Sequence, residues 1–132
     1  MRRRCKAGPH LKIKNMSTEV KKTSDIKVTV GLNGQNVPVR ITWEAEDNPN
    51  ANGAQEVKAV MLSFFDKETK DTLKIDLWTQ DMQVIQMDRF IFQTLRAIAD
   101  TYYRATQNKE LANEMQRFVT YFGEKTEIIP KQ

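Results

Sequence analysis

The hydrophobic period of this chain changes once, and that change limits the fold more than any other feature. From Ile26 to Trp78 apolar residues mostly alternate with polar ones, as in a strand with one buried face. From Val84 onward they recur every three or four residues, the spacing that a 3.6-residue helix gathers into one stripe. Strands first and helices second implies an α+β protein with the two kinds of element segregated along the chain.

Residue by residue, Ile26, Val28, Val30 and Leu32 form one alternating run, and Val39, Ile41 and Trp43 form a second. Asn33-Gly34 between them is a strong hairpin signal. Asp47 to Gly53 reads as a loop broken by Pro49 and Gly53. Val57 to Phe65 is nearly apolar throughout, which predicts a central strand buried on both faces. Asp66 to Asp71 reads as a turn, and a fourth strand follows with Leu73, Ile75 and Leu77 on one side and Lys74, Asp76 and Trp78 on the other. Val84, Met87, Ile91, Leu95, Ile98, Tyr102 and Ala105 then predict a long helix with Asp81 as its N-cap. Leu111, Met115, Phe118, Val119 and Phe122 predict a second helix ended by Gly123.

The expected fold is α+β: a four-stranded antiparallel meander followed by two helices packed on one face. The expected inward residues are Ile26, Val28, Val30, Val39, Ile41, Leu73, Ile75 and Leu77. The organisation read from the pattern is a disordered basic leader over 1–23, one domain over 24–124 and a tail over 125–132. Met16-Ser17-Thr18 resembles an ordinary protein start, so the segment before it is expected to be extraneous.

Charge and reactive residues narrow the function. The chain carries +4, but residues 1–15 hold six bases and no acid, so the remainder carries −2. A slightly acidic domain is poorly suited to phosphate, which argues against a nucleic-acid partner despite Trp43, Phe64, Phe65 and Trp78. No apolar run is long enough to insert into a membrane. Cys5 and His10 are the only cysteine and histidine. From Met16 onward, zinc sites of the usual kinds, cysteine nucleophiles and serine–histidine triads are excluded. Asp76 and Glu44 could form an acid–base pair, but both alternate with inward residues and are expected on a solvated face neutralised by Lys27, Arg40 and Lys74. Trp78, with Phe65 and Asp76, is the candidate protein-binding surface, because an outward-facing tryptophan makes a strong binding anchor.

The runs Ile41-Thr42-Trp43, Val60 to Asp66, Leu73 to Met82, Gln93-Thr94-Leu95, Ala99-Asp100-Thr101 and Arg104-Ala105-Thr106 resemble the gliding-motility GldC family of Bacteroidetes bacteria. The resemblance covers about residues 24–124. It implies a cytoplasmic, non-enzymatic accessory to gliding and its associated secretion machine, with protein partners and no catalytic residue or cofactor. The order of four strands and two helices is also similar to that of bacterial export chaperones, by fold analogy alone. Self-association is a further expectation. A small carboxylate-dependent ligand-binding module, with Asp76 or Asp81 in a pocket, is the competing reading.

Overall fold

The computed structural model describes residues 17–48 and 53–130. The basic leader up to Met16 and the centre of the 47–53 loop lie outside the described residues. The chain divides into two compact units, a sheet unit over Val20–Met82 and a helical unit beginning at Gln83.

In the sheet unit, β1 (Ile26–Leu32) and β2 (Pro38–Ala45) form the expected hairpin, with Val28 opposite Trp43 and Val30 opposite Ile41. The turn differs in detail from a two-residue Asn-Gly turn. Asn33 organises it, its side-chain oxygen accepting from the Gln35 and Val37 N–H groups at 2.8 and 3.1 Å. The left-handed residue is Asn36, not Gly34. Asparagine tolerates that conformation because its short polar side chain bonds locally.

The expected third strand is two strands. β3 (Gln55–Val57) pairs with β2, whereas β4 (Ala59–Phe65) pairs with β5 (Thr72–Trp78). The result is a three-stranded sheet β1-β2-β3 and a two-stranded sheet β4-β5, not a single four-stranded meander. The break falls at Lys58, a bend between the two pairings. Its carbonyl accepts the Thr79 N–H at 2.8 Å, and the next amide, that of Gln80, turns to the Pro38 carbonyl at 3.0 Å. The chain after β5 thus ties both sheets together.

Burial follows from this split. Ile41 is fully buried, flanked in register by Val30 and Val57. Val28, Val30 and Leu77 are half-buried, but Ile26, Val39, Leu73 and Ile75 are exposed, contrary to the inward set read from alternation. β4 is likewise not buried on both faces, since Phe64 and Phe65 are exposed at its end. A two-stranded ribbon has no neighbour to cover both of its faces, whatever its sequence period.

The helical unit is an αα-hairpin of α1 (Val84–Thr106) and α2 (Lys109–Lys125). Asp81 is not the N-cap. Gln83 is, and its N–H donates to the Gln86 side chain at 2.9 Å. Gln107, in the left-handed conformation, ends α1, and Asn108 caps α2 by accepting from the Leu111 N–H. The seam between the helices is built on Phe92, Ala99, Ala112, Val119 and Gly123. The larger residues of the expected stripes flank it, with Val84, Ile98, Leu111 and Phe118 exposed. Small residues let two helix backbones approach closely, so alanine and glycine mark the seam here instead of leucine.

Gly123 does not end α2, which runs two residues further. A side-chain carbon at this position would lie 2.5 Å from Ile129 Cδ1 and 2.7 Å from Phe92 Cε1. The following turn bends back over it. The Ile128 N–H donates to the Gly123 carbonyl at 2.9 Å and the Glu127 N–H to Glu124 at 3.1 Å, the two bonds of a Schellman ending with Glu127 in the left-handed position.

Two outcomes test this packing. Gly123→Ala would gain about 1 kcal/mol from helix propensity alone. The contacts with Phe92 and Ile129 instead predict a net loss of about 1–3 kcal/mol from overpacking, measured by urea denaturation. Gly34→Ala, whose new carbon meets nothing within 4 Å, serves as the neutral control. The second outcome concerns the β4–β5 turn. The Thr69 and Glu68 amides donate to Asp66 at 2.7 and 2.9 Å and hold its carboxyl below the usual carboxylate range. A lowered pKa contributes stability above the unfolded value of about 3.9 that is lost as pH falls through the folded one. Protection of the Glu68 and Thr69 amides, relative to their intrinsic exchange rates, should therefore fall on acidification below that range, and Asp66→Asn should remove that fall.

Candidate protein-binding strand

β5 carries the candidate residues, and its pairing with β4 decides how they are displayed. Directly opposed residues of an antiparallel pair share a face. Val60, Leu62 and Phe64 lie opposite Leu77, Ile75 and Leu73, so one face of the ribbon is entirely apolar. The other face carries Ala59, Met61, Ser63 and Phe65 opposite Trp78, Asp76, Lys74 and Thr72. Trp78 and Asp76 share a face, as the alternation of β5 predicted, and the pairing with β4 puts Phe65 on it as well.

They do not form one cluster. Asp76 and Trp78 are adjacent on that face, but Phe65 is paired with Thr72, six strand positions from Trp78. That is roughly 20 Å along the ribbon. Trp78 is 52% exposed and Phe65 68% exposed. Lys74 Nζ lies 3.2 Å from Asp76 Oδ2, the neutralised arrangement expected of a solvated carboxylate. Glu44 is on the other sheet, opposite Lys27 in register, and does not pair with Asp76.

Sequence reading passed over Thr79, the one buried polar residue among those described. Its hydroxyl lies 2.6 Å from Asp81 Oδ1 and 3.3 Å from the Lys58 carbonyl, so its single proton goes to the nearer carboxylate. Lys58 Nζ stands 3.7 Å from the other Asp81 oxygen. These residues, with Val39, Glu56 and Val57, line a hollow of about 300 Å³. The Thr79 hydroxyl, and secondarily the Lys58 ammonium, hold the Asp81 carboxyl below the usual range. Asp81 is thus a charged acceptor at neutral pH, suited to fixing the chain after β5 and unsuited to general-acid work. A polar residue this well buried next to a charged partner was detectable only through its position after an exposed strand end.

Among the described residues no group of three histidine, cysteine, aspartate or glutamate side chains is placed to hold a metal ion. No helix among them is long and apolar enough to cross a membrane. On α1, the Asp-Thr and Arg residues of two family-like runs meet, Arg104 Nε lying 3.0 Å from Asp100 and Nη2 3.4 Å from Thr101. Both are exposed, so the pair contributes little to stability.

The Thr79–Asp81 bond has a direct test. Thr79→Val removes the donor, and the Asp81 titration midpoint, followed by carboxyl NMR, should rise toward the ordinary value of about 3.9. An unchanged midpoint would show that Lys58 alone sets it.

The family model described as "Gliding motility-associated protein GldC-like" matches residues 38–128, from the start of β2 to the turn that closes on Gly123. No curated protein and no solved structure matches the chain. A match over more than two-thirds of the sequence, spanning four of the five strands and both helices, places it: the chain belongs to the GldC-like family of gliding motility-associated proteins.

Proposed function

We propose that this chain is a non-enzymatic, cytoplasmic accessory of the gliding apparatus that binds another protein of the gliding or secretion machinery through the β5 face bearing Trp78 and Asp76. The observation that carries the reading is Trp78 itself. It is a half-exposed tryptophan at the anchored end of a strand, next to the Lys74–Asp76 ion pair. Aromatic anchors with a charged rim are the usual centres of protein interfaces, and a strand fixed at its end presents them with little ordering cost. Phe65, at the far end of the same face, extends the surface for a partner long enough to reach it.

The residue inventory supports a binding role over catalysis. The only cysteine and histidine are Cys5 and His10, and the two carboxylates that a ligand module would use are both engaged, Asp76 by Lys74 and Asp81 by Thr79 and Lys58.

Affinity capture from a gliding bacterium, with the bound proteins identified by mass spectrometry, tests the reading. The intact chain should recover components of the gliding or secretion machinery. Trp78→Ala, shown to be folded by circular dichroism, should bind them roughly thirtyfold less tightly, the equivalent of about 2 kcal/mol. Equal recovery by both chains would remove Trp78 from the interface. Turnover of a substrate by the purified chain would overturn the non-enzymatic role.

A further inference from the structure

The free edge of β5 is complementary to itself. β5 pairs on one side with β4, and no strand among those described pairs with its other side. The direction of its backbone groups is fixed by two bonds toward β4: the Thr79 N–H to Lys58 at one end, and the Asp71 carbonyl accepting from Asp66 at the other. Groups alternate along a strand. Leu73, Ile75 and Leu77 therefore turn their N–H and C=O toward β4, and Thr72, Lys74, Asp76 and Trp78 turn theirs outward. The Gln80 N–H, which reaches Pro38 on the outer side, obeys the same alternation.

A second strand laid antiparallel along this edge must meet those outward groups. When the second strand is another β5, a two-fold axis at Ile75 satisfies every requirement at once. Lys74 of one copy then lies opposite Asp76 of the other, in the hydrogen-bonded positions that the outward groups demand. Ile75 meets Ile75, and Leu73 meets Leu77. The two ion pairs across the axis are of opposite charge, which favours the pairing, whereas like charges directly opposed would disfavour it. The apolar face of each β4–β5 ribbon continues into that of its copy, so the exposed Leu73 and Ile75 become part of one wider sheet. The other unpaired strand edges offer no such match, since β1 carries Lys27 alone, β3 carries Glu56 alone and β4 carries no charged residue.

We infer that the chain forms a two-fold symmetric homodimer by antiparallel β5–β5 pairing about Ile75, joining two ribbons into one four-stranded sheet. The pairing runs along the strand edge, but its Lys74 and Asp76 also lie on the face proposed for the partner, so its test reads the mass and cross-linking of the chain alone.

The test is the solution mass of the full chain by sedimentation equilibrium across a concentration series. The inference expects about twice 15.3 kDa at the upper concentrations. Lys74→Asp sets carboxylates against Asp76 across the axis and should weaken association at least about tenfold, since like charges directly opposite are destabilising. Adding Asp76→Lys to that variant restores opposite charges and should restore the dimer. Ile75→Cys in a Cys5→Ser background should oxidise to a disulfide-linked dimer, because a non-hydrogen-bonded pair brings the two Cα atoms to about 4.5 Å. Leu62→Cys on β4 should not. A monomer mass at every concentration, or a dimer indifferent to the charge reversal and without the Ile75→Cys cross-link, would overturn the inference. Both readouts are taken on the purified chain with no partner present, which separates this result from failure of the partner site.

Discussion

Two consecutive amides hold the sheet unit together. Thr79 donates to Lys58 and Gln80 donates to Pro38, so the two residues after Trp78 bind the break in one strand and the start of another. Without that clasp the β4–β5 ribbon would be an isolated hairpin, which is marginal in water. The Thr79 hydroxyl adds a bond to Asp81, which itself faces Lys58, so the clasp is closed by a charge-assisted contact as well as by backbone. Burial concentrates there too, since Thr79 is buried and the fully buried Ile41 lies three residues along β2 from Pro38.

The clasp explains why β5 can serve as a binding element. Its C-terminal end is fixed, its inner edge is paired with β4, and its outer edge and the face bearing Trp78 stay available. The helical unit solves its own packing problem by other means. There the absence of a side chain at Gly123 admits the Phe92 ring and Ile129, and a Schellman turn at Glu127 brings the chain end back to that gap.

The sequence was legible where a period or a turn signature decides the outcome. The α+β class, the β1–β2 hairpin, the Asp66–Asp71 turn and both helices follow from such signals. The division at Lys58 was not legible, because neither glycine nor proline marks it and Val57 to Phe65 has the composition of one buried strand. The inward set failed at Leu73 and Ile75 because alternation identifies an apolar face without saying what covers it. Asp81 looked like a helix cap since carboxylates often are, but it is engaged by Thr79, and the cap passes to Gln83. In the helices, reading by large residues missed Ala99, Ala112 and Gly123, whose small size is what makes the seam. At the candidate site, the shared face of Asp76 and Trp78 was readable, but the face and distance of Phe65 depended on a register that only pairing with β4 defines.

The central claim is that β5 is clasped at one end and open along its outer edge. Residue-resolved amide hydrogen exchange on the full chain, in dilute and in concentrated solution, tests it most directly. The Thr79 and Gln80 amides should be protected at both concentrations. Those of Lys74 and Asp76 should exchange freely when dilute and become protected as the concentration rises. Rapid exchange at Thr79 and Gln80, or protection of Lys74 and Asp76 that does not depend on concentration, would contradict the account.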